Sequence, residues 1–482
     1  MIVTQVHPQV AFVDSGREPA RNFGIGLTVG LAVLGVGGLW ISGQGPVLRV
    51  ALPAAGAIIG LVLYVMRPIS YVQYSLWVWF LTPLVRRVVD WRFGYMDPNV
   101  VLLTPFLVAG ISALTLIRPN QRLPTKVPTG FVLCGMAIVY GFIVGMVLHP
   151  SAETVFGLMN WLCPLLFGLH LYLNWERYEE YRAAITRTFL WGVLILGLYA
   201  IYQFLLPPEW DRYWLVNASF NSLSPSFGQP ESLLIRVWST LNSPGPFANI
   251  MMVGLLSLFV IRSPLKAPAF AVGFLSFLLS GVRTAWLSWI VGLIWVLKRT
   301  KAQSSVRIIL SLMVLLACLL AFANDTTLAP VIVDRLKTFT DLHHDESFGA
   351  RVEMYRVLVN DAIENPFGHG LKNLETARNI PVDSGVLVML FSLGWLGVGL
   401  FAAGIFTFFF PPKSRQGNGD NFTPVANALM VAFVAQVIGG NIFVNVTGAL
   451  FWISVAMYST GVKCCQQPAD SPVKQGRRPC LI

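Results

Sequence analysis

Charged residues are scarce in this sequence. Only 12% of its 482 residues are Asp, Glu, Lys or Arg, whereas 55% are hydrophobic. A soluble protein with so few charges could not cover its surface with polar groups. Apolar stretches long enough to cross a bilayer as a helix recur from end to end, and the mean hydropathy is +0.65. The composition therefore excludes a soluble protein and predicts a polytopic membrane protein.

Cysteine is also scarce, and the six cysteines show no spacing typical of metal or disulfide sites. Cys134, Cys163 and Cys318 lie inside apolar stretches, where small buried thiols are common. The segment DLHHDE, residues 341–346, contains two adjacent histidines, but these would point different ways on a helix and no partner ligand is evident. We expect a solvated charged loop there and no metal site.

The sequence also lacks a signal peptide and a concentrated basic patch. The opening residues lack the apolar core and the small-residue cleavage site of a signal peptide, so we expect residues 1–23 to form a cytoplasmic tail. The net charge is +11, but the basic residues are scattered through short loops rather than gathered in one patch. We therefore expect no nucleic-acid partner.

Hydrophobic stretches predict the structure of most of the chain. The predicted spans, about fourteen in all, are 24–41, 46–66, 70–84, 99–117, 130–148, 153–173, 186–206, 244–262, 267–280, 282–298, 305–323, 384–410, 424–440 and 443–461. Short loops on one face, such as KRTKAQSS at 298–305, are rich in Lys and Arg, which predicts that this face and both termini are cytoplasmic.

The predicted fold is therefore an all-α integral membrane protein with about 14 transmembrane helices. Its predicted regions are the cytoplasmic tail 1–23, a transmembrane region 24–323, a large periplasmic loop 324–383, C-terminal transmembrane helices 384–461 and a cytoplasmic tail 462–482.

Three loops on the predicted outer face carry basic residues, although Lys and Arg are normally concentrated in cytoplasmic loops. These loops are 85–99, 207–243 and 324–383. An anionic substrate would explain these residues, although long loops translocate largely regardless of charge. In the first loop, Arg86 and Arg87 are candidate substrate-binding residues. The alternative is a helix end whose arginines meet lipid headgroups and pair with Asp90.

Two more arginines are candidates. Arg236 precedes the apolar stretch that begins at Pro244, and its guanidinium could hold a phosphate through two parallel hydrogen bonds, which Lys could not do as well. Aromatic residues upstream, including Trp214 and Phe227, could stack on sugars or form an ordinary interfacial belt. Arg283, in SGVRTAWLSW, stands at the outer start of a span. It either faces the bundle interior as a functional residue or snorkels to the surface.

The largest outer loop contains SFGARVEMYRVLVNDAIENPFGHG, residues 347–370. Arg351 and Arg356 are five residues apart on a predicted helix, so they occupy adjacent faces. The NPFGHG segment ends that helix and carries His369. Asp383 stands at the start of the next span, where it could cap the helix or accept a proton from a sugar hydroxyl.

These segments resemble the O-antigen ligase and polymerase superfamily. The likeness lies in SGVRTAW at the start of a span, ENPFGHG in the large outer loop and LGWLGVGLF in the span that follows, and it covers roughly the second half of the chain. The earlier segments TPLVRRVVDWRFG and RVWSTLNSPGPFAN are similar to those of exopolysaccharide-type members. Many ligases carry His where this chain has Asp383, which favours a polymerase of an exopolysaccharide.

The resemblance implies a GT-C-like glycosyltransferase in the bacterial inner membrane. Such enzymes join undecaprenyl-diphosphate-linked glycans at the periplasmic face, with inversion and without a metal, so we expect no cofactor. Arg236, Arg283 and Arg351 fall at the family's arginine positions and would stabilise the diphosphate leaving group. Asp383 would be the base, with His369 as the next candidate. The expected partners are a lipid-linked donor and acceptor, the bilayer, and chain-length, flippase or export proteins.

Three alternatives stay open. A ligase would move the glycan to lipid A core or to a protein. A transporter or flippase of lipid-linked oligosaccharide would also use a cationic cavity, but it should carry ionisable residues at mid-span. A non-catalytic scaffold for envelope assembly would tolerate the loss of a single arginine such as Arg283.

Overall fold

A computed structural model of the protein describes residues 17–117, 127–220, 227–299, 346–372, 384–410 and 420–466. Helices account for nearly all of the regular structure in these ranges, where an isolated bridge between Gly228 and Ile235 is the only β pairing. The predicted all-α class is thus confirmed. The predicted span 305–323, the DLHH residues 341–344 and the candidate base Asp383 lie outside the described residues.

The α-helices of the described part of the chain are numbered here in order. They are α1 (Arg17–Ile41), α2 (Gly45–Met66), α3 (Pro68–Phe93), α4 (Thr104–Gly110), α5 (Thr129–Leu148), α6 (Ala152–Leu173), α7 (Tyr178–Leu205), α8 (Glu209–Phe220), α9 (Pro244–Leu258), α10 (Lys266–Leu279), α11 (Arg283–Leu297), α12 (Glu346–Glu364), α13 (Gly385–Phe409), α14 (Phe422–Gln436) and α15 (Asn445–Gln466). Short 3₁₀ turns flank α4 and follow α14, the latter at Val437–Gly439.

Seven helical stretches of the described chain are long and apolar enough to cross a membrane, namely Gly24–Ile41, Gly45–Met66, Thr129–Leu148, Ala152–Leu173, Trp175–Leu205, Gly385–Phe409 and Phe422–Gly439. Four shorter apolar helical stretches, of 10–17 residues, are Val100–Leu116, Pro244–Leu258, Lys266–Leu279 and Arg283–Leu297. Each of these eleven stretches corresponds to a predicted span. The protein is therefore a multi-pass membrane protein.

Close helix pairs form the core. The most extensive pairs are α5 with α13, α6 with α15, α7 with α10, and α11 with α14. Small residues allow this approach, as is usual between membrane helices. At Gly168 of α6, for example, an added Cβ would lie 2.7 Å from the carbonyl oxygen of Trp452 in α15. These pairs bring together helices that are far apart in the sequence, and so they set the positions of the polar segments at the helix ends.

The NPFGHG segment ends α12, as predicted, and then docks onto the bundle. Helix α13 is broken at Gly394, which has φ 60 and ψ −177. The amide of Trp395 donates to the carbonyl of Pro366 at 2.9 Å, and the amide of His369 donates to that of Phe391 at 2.7 Å. These hydrogen bonds satisfy backbone groups that the break would leave without partners. The outer-loop motif is thus fastened to α13.

Glycine is required where this segment meets the bundle. Gly368 and Gly370 have positive φ values of 76 and 85. An added Cβ at Gly368 would lie 2.5 Å from the amide nitrogen of Gly394, and one at Gly370 would lie 2.1 Å from the Cα of Gly145 in α5. Both the conformation and the backbone-to-backbone contact therefore exclude a side chain.

Candidate functional site

Residues 233–243 form a non-helical segment, the inserted segment, which precedes α9. Val237, Trp238 and Ser239 are fully buried within it. Buried backbone groups outside a helix need other hydrogen-bond partners. The side-chain oxygen Oε1 of Gln203, on α7, accepts from the amides of Trp238 at 3.0 Å and Ser239 at 2.9 Å. Side chains of neighbouring helices thus replace the bonds that a helix would have supplied.

Arg87, on α3, supplies the other half of this support. Its guanidinium donates to the carbonyl of Ser239 at 2.6 Å and to that of Leu241. Its Nε lies 2.9 Å from Oδ1 of Asp211, on α8, and both side chains are fully buried. Tyr199 and Gln203 donate to the other carboxylate oxygen at 2.9 and 2.6 Å. Two backbone carbonyls and a buried carboxylate therefore surround the Arg87 guanidinium, which favours a structural role over direct substrate contact.

Arg86 is also held by protein groups. Its Nε lies 3.1 Å from Oδ2 of Asp90, and NH2 of Arg49 lies 3.2 Å from Oδ1 of the same carboxylate. Asn99 donates to Oδ1 as well, at 2.8 Å. The predicted pairing of Arg86 with Asp90 is confirmed, whereas sequence reasoning missed Arg49, which is distant in the chain. Arg86 is only 4% exposed, so it does not extend to lipid headgroups.

Arg236 and Arg283 are brought to the same place. The inserted segment packs against the end of α10, where the amide of Val237 lies 3.4 Å from the carbonyl of Leu279. The guanidinium of Arg236 donates to the carbonyls of Ser280 at 3.3 Å and Gly281 at 3.2 Å. Helix α11 then begins at Arg283. The guanidinium of Arg236 is therefore held against the turn two residues before Arg283, and both arginines are half-buried.

The start of α13 lies beside the start of α11, and the turn after α14 joins them. An added Cβ at Gly439 would lie 2.3 Å from Cγ2 of Thr284, and one at Gly385 would lie 2.4 Å from the carbonyl of Gly440. Ser384 precedes α13 and is only 1% exposed. Its hydroxyl has no hydrogen-bond partner within the described ranges. Asp383 is the residue before Ser384 in the sequence.

Helix α12 borders the same region. The hydroxyl of Tyr355 donates to the carbonyl of Ile438 at 3.3 Å. Leu358 and Ala362 pack against Leu387 and Phe391 in an apolar cluster separate from the main core. Arg351 precedes Tyr355 by one turn, so both positions belong to one face of the helix, while Arg356 is exposed. The helix predicted to carry these two arginines is confirmed.

His369 has a partner that sequence reasoning missed. Its Nε2 lies 2.9 Å from Oδ2 of Asp361, and the amide of the Asn365 side chain donates to Oδ1 at 3.3 Å. The imidazole also stacks on Phe391, with ring centroids 4.5 Å apart. Asp361 and His369 lie on opposite sides of the turn that ends α12, and no sequence pattern signals a contact across such a turn.

The charged residues buried in the described part of the chain lie near helix ends or in short connecting helices. They are Arg49, Arg86, Arg87, Asp90, Asp211 and Asp361. The molecule is a multi-pass α-helical membrane protein in which the predicted periplasmic ends of α11, α13 and α14 lie together and are bordered by α12.

The family model for O-antigen ligase matches residues 268–402, from α10 to the middle of α13. This match supports the predicted resemblance to the O-antigen ligase and polymerase superfamily. The matched range includes Arg283, Arg351, Arg356 and His369, whereas Arg236 reaches it from the inserted segment. No curated protein matches the chain.

Proposed function

We propose that this protein polymerises undecaprenyl-diphosphate-linked oligosaccharide repeat units into an exopolysaccharide or O-antigen-type polymer. The reaction takes place at the periplasmic face of the bacterial inner membrane, and both termini are cytoplasmic. The family match supports an O-antigen ligase or polymerase type of activity. The observation that carries the proposal further is the meeting of Arg236 with the start of α11, where Arg283 stands.

In this proposal, the guanidinium groups of Arg236 and Arg283 bind the diphosphate together. As the bond between the donor sugar and the diphosphate breaks, negative charge grows on the phosphate oxygens. Charged donors fixed in advance stabilise that growing charge. The planar guanidinium can donate two parallel hydrogen bonds to one phosphate. Arg236 and Arg283 form the clamp in this proposal, and Arg351, on the helix that borders the region, completes it.

The transfer needs a base as well as a clamp. A hydroxyl oxygen of the acceptor sugar attacks the anomeric carbon of the donor, the bond from that carbon to the diphosphate oxygen breaks, and undecaprenyl diphosphate leaves. The hydroxyl proton passes to Asp383, the residue before buried Ser384. His369 is the second candidate base, because Asp361 would orient its imidazole by a hydrogen bond to Nε2. The scheme uses inversion and no metal.

Arg86, Arg87 and Arg356 have other roles in this proposal. The first two are engaged by protein carboxylates and carbonyls, so they shape the site without touching substrate. Arg356 is exposed on α12 and would contact the glycan. Chain-length, flippase or export proteins would act as partners around the enzyme.

The location of the buried charges supports an enzyme rather than a transporter. In transporters, ionisable groups are expected near the midplane of the bilayer. In the described ranges of this protein, buried carboxylates and guanidinium groups lie near helix ends or in short connecting helices, as with Asp90 and Asp211.

The experiment is to incubate purified protein with its lipid-linked repeat unit alone. A ladder of products that differ by one repeat is expected, together with release of undecaprenyl diphosphate. Transfer that occurs only after a second acceptor is added, such as lipid A core, would instead establish a ligase. No consumption of the lipid-linked unit under either condition would contradict both glycosyltransferase proposals.

A further inference from the structure

The inserted segment carries Arg236 but has little regular structure of its own. We infer that Arg87 and Asp211 are positioning residues for Arg236, acting through the backbone of the inserted segment. Neither residue is proposed to touch substrate. The inference rests on the proposed function for its activity readout, but its structural part can be tested separately.

The backbone of the inserted segment adopts an unfavourable conformation that its surroundings must hold. Leu233 and Ser239 have φ values of 67 and 53, in a region that residues with a Cβ rarely adopt. Such conformations persist where neighbouring groups determine them. At Ser239 these groups are Arg87 on the carbonyl, Gln203 on the amide, and the carbonyl of Leu196, which accepts from the hydroxyl at 2.7 Å.

The support reaches Arg236 over a short distance along the chain. Ser239 is three residues after Arg236, and Val237, between them, contacts the end of α10. The amide of Arg236 also donates to the carbonyl of Phe227 at 2.9 Å. A shift of the backbone at Ser239 would therefore move the base of the Arg236 side chain, and its guanidinium would leave the carbonyls of Ser280 and Gly281.

Asp211 is needed because Arg87 is fully buried. A buried guanidinium without a carboxylate is costly, and the group would move towards water or another partner. Movement of Arg87 would free the carbonyls of Ser239 and Leu241. Lys at position 87 would keep the charge but could not reproduce the fork that reaches Asp211 and two carbonyls together.

A second buried ion-pair network on α3 provides a matched control. Asp90 is also fully buried and paired with arginines, but those arginines bond to the segment after α3 rather than to the inserted segment. The Asp211→Asn and Asp90→Asn variants therefore remove the same chemical group from comparable surroundings. If burial alone matters, both variants should behave alike once equal amounts of folded protein are compared.

The activity arm uses a double-mutant cycle with Arg236→Ala and the lipid-linked repeat unit. Asp211→Asn and Arg87→Lys should lower kcat/KM on the order of 10²-fold, the scale of a misplaced catalytic group. In the Arg236→Ala background they should add almost nothing, because they act through the same side chain. Any loss of kcat/KM caused by Asp90→Asn should instead multiply with the loss caused by Arg236→Ala, because the two changes act independently. If the fold-losses in kcat/KM of Asp211→Asn and Arg236→Ala multiply in the double variant, the inference is overturned.

The structural arm needs no substrate. In a background without the six natural cysteines, the pair Val237→Cys and Leu279→Cys reports whether the inserted segment lies against α10. The amide-to-carbonyl contact of 3.4 Å brings the two residues within reach of a disulfide. The disulfide should form in the parent and with Asp90→Asn, and should be lost with Asp211→Asn and Arg87→Lys.

The two arms separate two kinds of failure. A disulfide that forms equally in all variants, or in none including the parent, would overturn the positioning role whatever the activity. If the disulfide responds as expected while Arg236→Ala is fully active, the positioning of the segment stands and the proposed diphosphate clamp fails.

Discussion

Arg236 donates a hydrogen bond of 3.2 Å to the backbone carbonyl of Gly281, two residues before Arg283 begins α11. Residues from two separate outer segments thereby meet at one helix start. This contact is the structural basis for the proposed diphosphate clamp.

The predicted topology can be tested with single cysteines in a cysteine-free background. Ser304, in the loop KRTKAQSS, is expected to be cytoplasmic, and Ser347, in the large outer loop, is expected to be periplasmic. A membrane-impermeant thiol reagent added to the outside of spheroplasts should label Ser347→Cys and leave Ser304→Cys unlabelled. Labelling of both positions, or of Ser304→Cys alone, would contradict the topology.

Asp383 is tested as a base by comparing Asp383→Asn with Asp361→Asn. Asn remains a good helix cap, so the first variant should fold normally. Because an amide cannot accept the proton, polymer yield should fall on the order of 10²- to 10⁴-fold. If Asp383→Asn is as active as the parent and Asp361→Asn is not, the base is His369 oriented by Asp361. Equal activity in both variants would contradict both assignments.

Gly370 is expected to be essential for docking the outer-loop motif. Gly370→Ala forces an alanine into a positive φ and against the backbone of Gly145. The conformation alone should cost about 1–2 kcal/mol, and the clash adds to it. Thermal unfolding in detergent should reveal this loss, whereas Gly399→Ala, on α13 with open space around it, should change little. Equal unfolding temperatures for the two variants would argue against the docked arrangement.

A cluster at the predicted cytoplasmic end predicts a pH dependence. Burial by itself would raise the pKa of Asp420, but hydrogen bonds from Thr423, Tyr178 and Arg182 hold that pKa below its usual value. The folded pKa is thus lower than the unfolded one, about 3.9. The resulting stabilisation is present above that unfolded value and is lost as pH falls through the folded pKa.

Asp420→Asn should therefore lower the unfolding temperature at neutral pH, and the difference from the parent should shrink below about pH 4. Glu180→Gln, an exposed change on α7, serves as the control and should have little effect throughout. A difference between Asp420→Asn and the parent that does not change with pH would contradict the expected ionisation.

The apolar helices were the most predictable part of the fold. The predicted spans 244–262, 267–280 and 282–298 correspond closely to α9, α10 and α11, because Pro, Lys and Arg mark where each apolar stretch begins. The break in α13 could not be read from hydropathy, since Gly394 lies in an unbroken apolar run. It depends on the docked NPFGHG segment, which is a tertiary contact.

The candidate site was predictable by residue type but not by pairing. Arg236 and Arg283 stood out because charge next to an apolar stretch is costly. Arg87 stood out for the same reason, yet its carboxylate partner, Asp211, is on a distant helix and gives no local signal. Sequence reasoning therefore grouped Arg87 with the substrate arginines, whereas its contacts favour a structural role.

The most direct test of the proposed clamp is the rate of undecaprenyl diphosphate release by purified protein carrying Arg236→Lys or Arg283→Lys, with Arg262→Lys, an exposed arginine, as the matched control. Because Lys keeps the charge but loses the fork geometry, each of the first two variants should lose on the order of 10²- to 10³-fold in kcat, while the control keeps the parental rate. Parental rates in both Arg236→Lys and Arg283→Lys would contradict the clamp.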